Sequence, residues 1–282
     1  MATDQAEIKN FIEKKIEWGE DLPAFPKTSH QALAMIKEEN VGIPQLANVV
    51  LQDSALSSNI LRVANSIYYN AQRMFTKVNE AIAYIGLQET KHIIYSAFGR
   101  SLFGRGQSAK TWRHSISAAF AAEEIAKAAH IDADEAYLTG LLHDVGKTFL
   151  QSKIAPKYYS IMSALETTQD KDMVIASEQR AWGYDHAQIG ELLLRRWNFA
   201  EQMSFAVGQH HNPEQPDNTL CQCIALANQI AHQFDIPTPA KTTVINPATM
   251  TRIPVNSAEL THAIEQSQQR IENFLEKMSV LA

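Results

Sequence analysis

Histidine is the residue type in this chain whose number and spacing could do chemistry. The 282 residues include ten histidines, and five of them combine with one aspartate into a pattern. The members of the pattern are His114, His143, Asp144, His186, His210 and His211. An imidazole beside a carboxylate is costly to bury unless both groups find partners, and metal ligation is one way to supply them. Because a carboxylate can bridge two cations while neutral imidazoles complete each coordination sphere, the pattern indicates a metal site.

The individual histidines also have simpler interpretations. His114 on an amphipathic helix could be a polar surface residue or a capped core residue. His210 and His211 could simply favour the dipole at the end of a helix, and His186 at a helix start could be incidental. The combination is more specific than any of its members, so we interpret the histidines together.

Three further polar residues accompany the pattern. The segment LTGLLHDVGK places the His-Asp pair after an apolar run, and Lys147 follows one helical turn later. Lys147 could lie near a phosphate or a leaving oxygen, and the alternative is an exposed lysine near a helix end. Glu178 precedes His186 and could be a further ligand or a base. His232 has no partner motif and stays unassigned.

The elements that position these residues are predicted to be helices. Apolar residues recur at helical spacing along nearly the whole chain, and strand-like alternation is nearly absent. We therefore predict an all-α protein, a two-part helical bundle with a C-terminal appendage. The predicted helices of the second half include 109–129, 133–150, 186–197, 200–210 and 219–234. All the candidate ligands lie near helix ends, where a bundle can gather them around one cavity.

Composition divides the chain into four predicted parts. These are an N-terminal helix (1–21), an N-terminal helical subdomain (22–106), a metal-site subdomain (107–235), and a connector with a C-terminal helix (236–282). The boundary between the two helical subdomains lies within the Gly-rich segment GRGQS, and the connector contains four prolines and many threonines. The last helix, Ala258 to Met278, has an apolar stripe that could pack within the chain or across a dimer.

Charge and cysteine content exclude several classes. The net charge of −6 gives no global basic surface for nucleic acid or anionic lipid. Cys221 and Cys223 are too few for a secreted disulfide framework, and we interpret them as reduced core thiols. The charged N-terminus is no signal peptide, and no segment has the length of a membrane span. We therefore expect a soluble, cytoplasmic protein.

One local stretch is basic. No acidic residue occurs between Glu89 and Glu123, whereas several lysines and arginines do, among them Arg105 and Arg113. These two arginines could attract a phosphate-bearing ligand or an acidic partner. The alternative is a solvated helix face with a basic loop.

The histidine pattern resembles the HD superfamily of metal-dependent phosphohydrolases, which is named for the doublet seen at His143-Asp144. Within it, the spacing is most similar to the HD-GYP and HDOD branches. The segments LQDSALSSNILRVANSIYYN and FTKVNEAIAYIGLQETKHIIY resemble the opening half of the HDOD domain, and WGYDHAQIGELLLRRWNF and VGQHHNPEQ continue the match. The resemblance runs from about Leu22 to Asp235.

The resemblance implies a ligand set for one or two divalent ions. In the di-metal HD-GYP arrangement, His114, His143 and Asp144 would serve one metal. Bridging Asp144 with His186, His210 and His211 would serve the other. The family's last aspartate falls at Asn228, whose amide oxygen is a neutral and weaker ligand. Iron, manganese, nickel and zinc all suit such mixed ligation.

The same resemblance implies a function. HDOD proteins are mostly regarded as bacterial signalling modules without an established activity, so we expect a module that binds a protein partner or a small phosphate-bearing ligand. The alternative is an active metal-dependent phosphohydrolase in which Lys147 and Asp144 are catalytic. A third hypothesis is a structural metal whose occupancy controls partner binding. The Gly-Tyr-Pro element is absent, so a cyclic-di-GMP phosphodiesterase is not supported. A homo-oligomer is an open expectation.

Overall fold

The computed structural model describes residues 2–18, 27–36, 38, 41–103, 109–165, 171–212, 218–234 and 253–278. Within these ranges the regular elements are all helical, which confirms the all-α prediction. The α-helices are α1 (Ala2–Trp18), α2 (Lys27–Ile36), α3 (Ile43–Val50), α4 (Ser54–Ala64), α5 (Val78–Ile85), α6 (Leu87–Phe103), α7 (Ala109–Ala128), α8 (Ala133–Leu142), α9 (Val145–Lys153), α10 (Ala155–Leu165), α11 (Lys171–Trp182), α12 (His186–Arg196), α13 (Glu201–Gln209), α14 (Thr219–Phe234) and α15 (Ser257–Met278). A short 3₁₀ helix spans Ile67–Tyr69.

The chain forms two compact units. The larger unit comprises Met1–Leu22 and Arg105–Ser267, and the smaller unit comprises Pro23–Gly104 and Gln268–Ala282. The four functional parts predicted from the sequence stay a prediction. No helix in the described part of the chain has the length and apolar character needed to cross a bilayer.

The smaller unit is built from short amphipathic helices. Helix α4 packs on α5, and α2 packs on α3 and α6, around a core that includes Leu46, Ile60 and Ile82. Between α4 and α5, the Asn65 side chain donates to the carbonyl oxygen of Phe75 at 2.8 Å and accepts from its amide at 2.6 Å. This two-way contact closes the irregular segment that joins the helices.

The larger unit carries all the candidate ligands. Helix α7 packs along α8 and α14, and α12 packs against α9 and α13. Phe120 and Tyr137 meet edge to face at 5.2 Å within the α7–α8 contact and are almost fully buried. Helix α12 begins with a capping box, in which the Asp185 carboxylate accepts from the amide of Gln188 while the Gln188 side chain accepts from the amide of Asp185.

The segment 133–150 was predicted as one helix, and this prediction is wrong. Helix α8 ends at Leu142 and α9 begins at Val145, so His143 and Asp144 lie at the break. The backbone of Asp144 has φ −101° and ψ 14°, which is outside the helical region. Because the apolar pattern continues across the break, periodicity alone indicates a single helix there.

Two glycines permit the close backbone approaches that bring the ligands together. A Cβ at Gly146 would lie 1.9 Å from the carbonyl oxygen of His186, so only glycine lets α9 approach the start of α12 this closely. A Cβ at Gly140 would lie 2.8 Å from the carbonyl oxygen of Ala118, where α8 meets α7. The two contacts place the break between α8 and α9 against both neighbouring helices.

Candidate metal centre

Six of the predicted site residues come together as two adjacent clusters. The first cluster contains His114, His143 and Asp144, and the second cluster contains His186, His210 and His211. Within each cluster, the potential ligand atoms lie within 4.8 Å of one another. Apart from the histidine on α7, these residues lie at helix ends or in the turns beside them, where the changing backbone direction aims side chains at one point.

The first cluster is fully buried. His114 Nε2 lies 3.2 Å from His143 Nε2, and the two nitrogens lie 3.5 Å and 3.4 Å from Asp144 Oδ2. Two imidazole nitrogens and one carboxylate oxygen therefore converge on a single point. This donor set suits borderline divalent cations of the first transition row.

The second cluster faces the other oxygen of the same carboxylate. His186 Nε2 lies 2.9 Å from His211 Nε2 and 3.3 Å from Asp144 Oδ1. His210 Nε2 lies 3.8 Å from that oxygen. Asp144 thus presents one oxygen to each cluster, which is the arrangement that a carboxylate bridging two cations requires.

Hydrogen bonds to backbone carbonyls fix the orientation of two imidazoles. Nδ1 of His143 and Nδ1 of His210 each lie 2.7 Å from a backbone carbonyl oxygen, those of Gly140 and Val207 respectively. Because a carbonyl oxygen only accepts, Nδ1 carries the proton in both rings, and in the neutral ring Nε2 is left with its lone pair facing the centre. The rings are therefore held in the tautomer that a metal ligand needs.

The electrostatics favour the ligand forms of these groups. Burial opposes ionisation of Asp144, but His143 and Lys147 outweigh it and hold the pKa of the carboxyl well below its usual range. Burial, reinforced by neighbouring imidazoles, holds the pKa values of His210 and His211 well below the usual range of histidine. The result is a carboxylate beside two neutral imidazoles, those of His210 and His211.

The residues present fit a metal ion. In the described ranges, Asp144 Oδ1 and His210 Nε2 are buried and have no hydrogen-bond partner. Leaving buried acceptors unsatisfied is costly, and both atoms accept rather than donate in the forms derived above. A cation placed between them would satisfy both atoms.

Lys147 lies beside the first cluster. Its ammonium donates to Asp144 Oδ2 at 2.7 Å, and its side chain is 23% exposed. Lys147 therefore links the buried carboxylate to the protein surface. Arg113 is exposed on α7, and Arg105 lies outside the described residues, so the phosphate-binding role of these arginines stays a prediction.

The sequence suggests Glu178 as a further ligand or a base, and the structure places it behind His186 as a hydrogen-bond partner. Its Oε2 accepts from Nδ1 of His186 at 2.7 Å and from the backbone amide of the same residue at 2.8 Å. Glu178 is completely buried on α11. The sequence signal was weak, because eight residues and a helix boundary separate the two groups.

Helix α14 also contributes to the surroundings of the first cluster. The ring of His232, which the sequence left unassigned, lies 4.6 Å from the ring of His114. Asn228 lies one turn earlier and is buried, and its Oδ1 has no hydrogen-bond partner among the residues that the structure describes. The spacing of four residues that places Asn228 and His232 on one helical face was the available signal.

One protein-family model matches a long continuous part of the chain. The model of the HDOD domain matches residues 22–213, which is more than half of the chain. The chain belongs to the HDOD family. The resemblance seen in the sequence is thereby confirmed. The HDOD match covers both histidine clusters, including the doublet at positions 210 and 211.

A curated relative of this HDOD chain is known from Treponema pallidum (strain Nichols). That uncharacterized protein is 26% identical over 227 residues, which cover 78% of this chain. The chain spans 44% of the length of this relative.

Solved structures share the HDOD fold. An HDOD domain protein with unknown function from Geobacter sulfurreducens superposes with a TM-score of 0.74 at 21% identity, covering 98% of this chain and 99% of that chain. A candidate phosphohydrolase from Shewanella amazonensis has a TM-score of 0.71 at 23% identity, covering 96% and 98%. A candidate signal transduction protein from Marinobacter aquaeolei has a TM-score of 0.74 at 19% identity, covering 95% and 61%. At these identities the likeness establishes the fold.

Proposed function

We propose that this HDOD chain is a signalling module that holds one or two divalent metal ions at its histidine clusters and acts by binding a protein partner or a small phosphate-bearing ligand. The observation that carries the proposal is the division of Asp144 between two clusters, with Oδ2 facing one and Oδ1 facing the other. Such a division leaves a buried oxygen without a hydrogen-bond donor and suits a cation.

The number of donors differs between the clusters. The second cluster and Asp144 Oδ1 offer four protein donors, which is enough to complete a closed tetrahedral site of the structural type. The first cluster offers three, counting Asp144 Oδ2. A bound ion would lower the pKa of a coordinated water and polarise a phosphoryl oxygen. The clustered histidines and Asp144 would hold the ion, and the backbone carbonyls of Gly140 and Val207 fix the tautomers of His143 and His210.

Burial favours a binding module over an open catalytic centre. His143, Asp144, His186 and His210 are each at most 2% exposed. Among the groups described around the centre, His211, Lys147 and His232 are partly accessible, so a ligand reaches the centre past one of them. In a site of this kind, metal occupancy can change the packing of several helix ends at once, which is a means of signalling to a partner.

Metal content tests the proposal directly. The untagged chain is purified without chelator, and the metal per chain is measured by elemental mass spectrometry beside His186→Ala. His262→Ala, which removes an exposed histidine from α15, serves as the matched control. We expect metal in the wild type and in the control and a loss in His186→Ala. Absence of metal from the wild type, even after incubation with iron, manganese or zinc, would overturn the proposal.

A metal-dependent phosphohydrolase is the second candidate function. The observation that favours it is Lys147, whose ammonium lies 2.7 Å from Asp144 Oδ2 on the accessible side of the centre. There it could hold a phosphate oxygen or protonate a leaving oxygen. Hydrolysis of a chromogenic phosphodiester by the metal-loaded chain, lost in Asp144→Ala and in Lys147→Met, would establish this function in place of the binding module.

A further inference from the structure

Glu178 is a buried carboxylate committed to one histidine. Its Oε2 accepts two hydrogen bonds, from Nδ1 and from the backbone amide of His186, at 2.7 Å and 2.8 Å. Its Oε1 is buried and has no hydrogen-bond partner within the described ranges. Both described hydrogen bonds of the Glu178 carboxylate therefore come from His186.

The imidazoles of His143 and His210 have a different kind of hydrogen-bond partner at Nδ1. His143 and His210 donate from Nδ1 to neutral backbone carbonyls, both at 2.7 Å. A carboxylate partner raises the basicity of the opposite ring nitrogen more than a neutral carbonyl does, and it fixes the ring as well. His186 is consequently the strongest donor of the three, and it belongs to the second cluster.

The two clusters also differ in how their share of Asp144 is occupied. Oδ2, which faces the first cluster, already accepts from Lys147, whereas Oδ1, which faces the second cluster, has no donor among the residues that the structure describes. A cation at the second cluster therefore meets a free carboxylate oxygen and a carboxylate-supported imidazole. A cation at the first cluster has to share its oxygen with an ammonium group.

We infer that Glu178 is a positioning residue that makes the second cluster, His186, His210 and His211, the tighter of two unequal metal sites. The inference rests on the proposed function, since it presupposes that the centre binds metal. The tighter binding at the second cluster is thereby attributed to Glu178, which is not itself one of the proposed ligands. Outer-shell carboxylates of this kind typically contribute about 10- to 100-fold in metal affinity.

The test is a zinc titration of the metal-free chain against a chromophoric chelator, with the visible absorption of bound cobalt as a second readout. Glu178→Gln keeps the size of the side chain and removes the charge. Glu123→Gln is the matched control, because Glu123 is a buried carboxylate on α7 that pairs with Lys127 at 3.2 Å. Circular dichroism of the metal-free variants shows whether each one folds.

We expect Glu178→Gln to weaken the tightest zinc-binding step by about 10- to 100-fold and to alter the cobalt spectrum of that step. Glu178→Asp, which retains the charge, should restore part of the affinity, and Glu123→Gln should bind as the wild type does. Unchanged binding by Glu178→Gln would overturn the inference while leaving the proposed function intact. A wild type that binds neither zinc nor cobalt would instead overturn the proposed function.

Single-ligand variants keep the inference open to refutation if the Glu178 variants do not fold. The tightest step must disappear in His186→Ala and persist in His143→Ala. The opposite result would assign the tighter site to the first cluster and refute the inference.

Discussion

The two histidine clusters share one carboxylate but surround it with different partners. On the first side, Asp144 Oδ2 faces two imidazoles and accepts from the Lys147 ammonium at 2.7 Å. On the second side, Asp144 Oδ1 faces His186 and His210 and has no hydrogen-bond donor in the described part of the chain. We infer that the type of ligand alone does not set metal affinity. Asp144 Oδ2 already has a hydrogen-bond donor, whereas Asp144 Oδ1 has none in the described part of the chain.

The helix that completes each side differs as well. Behind the second cluster, α11 supplies the ionisable partner of His186. Beside the first cluster, α14 supplies His232, whose ring lies 4.6 Å from that of His114, and the same helix carries the buried Asn228 one turn earlier. The resemblance noted in the sequence implies an aspartate at the position of Asn228. A neutral amide oxygen attracts a cation less than a carboxylate does. We therefore predict that the first cluster binds a cation more weakly than the second cluster does. Its ligands are weaker, and Lys147 competes with the cation for Asp144 Oδ2.

The largest expected effect comes from removing what the two sides share. In Asp144→Ala, both clusters lose their carboxylate oxygen, and we expect both zinc-binding steps to weaken by more than about 100-fold, above the loss typical of outer-shell partners. Calorimetric titration of the metal-free chain measures this. Asp134→Ala, in the first turn of α8, is the control and should bind as the wild type does. A variant of Asp144 that retains one tight step would show that the carboxylate does not bridge.

The next effect separates the two sides. His186→Ala should remove the tighter zinc-binding step, and His143→Ala should remove the weaker one, because each imidazole belongs to one cluster. We expect each variant to retain about half of the metal of a fully loaded wild type in elemental analysis, as expected when one of two sites loses a direct ligand. If both variants lose all metal, the two clusters form one site, and the comparison between them fails.

A smaller effect should appear when the weak side is strengthened. Asn228→Asp places a carboxylate at a buried position where an amide oxygen now lacks a partner. We expect the weaker zinc-binding step to tighten by about tenfold, since a charged oxygen attracts a cation more strongly in buried surroundings. The tighter step should not change. Equal affinities for Asn228→Asp and wild type would mean that α14 does not contribute to the first side.

Much of this fold could be predicted from the sequence, because helical periodicity and capping residues are local signals. Helix α14 begins and ends where the apolar pattern predicts, and Asp53 caps α4 through two backbone amides. The break at His143 and Asp144 could not be predicted, because it depends on the close contact of Gly146 with the backbone of His186. That contact joins elements far apart in the sequence.

The residues of the candidate site also differ in how well the sequence alone could predict them. The six clustered residues carried a signal because two doublets and a family resemblance mark them in the sequence. Glu178 carried almost none, because its role depends on the turn between α11 and α12, which brings Oε2 within 2.7 Å of Nδ1 of His186. Tertiary packing decides which residue becomes the hydrogen-bond partner of a metal ligand. The ligands themselves can be predicted from the sequence because few residue types bind metals.

The smallest effect concerns pH and the metal-free chain. The pKa of His210 in the folded chain lies well below its usual value, chiefly because the ring is buried. The unfolded chain, with an ordinary histidine pKa of about 6.5, therefore binds a proton that the folded chain excludes. Folding stability is fully retained above that value and decreases as pH falls below it, by about 1.4 kcal/mol for each pH unit while the folded ring stays neutral.

Thermal unfolding of the metal-free chain between pH 7.5 and 5.5 measures this effect. We expect the wild type to lose stability over that interval and His210→Gln to lose about 1 kcal/mol less, because glutamine takes up no proton. His262→Gln, which alters an exposed histidine, should follow the wild type. Parallel curves for His210→Gln and wild type would show that His210 is not held neutral by burial. The second cluster would then lack a neutral imidazole at His210, which is the form that a metal ligand requires.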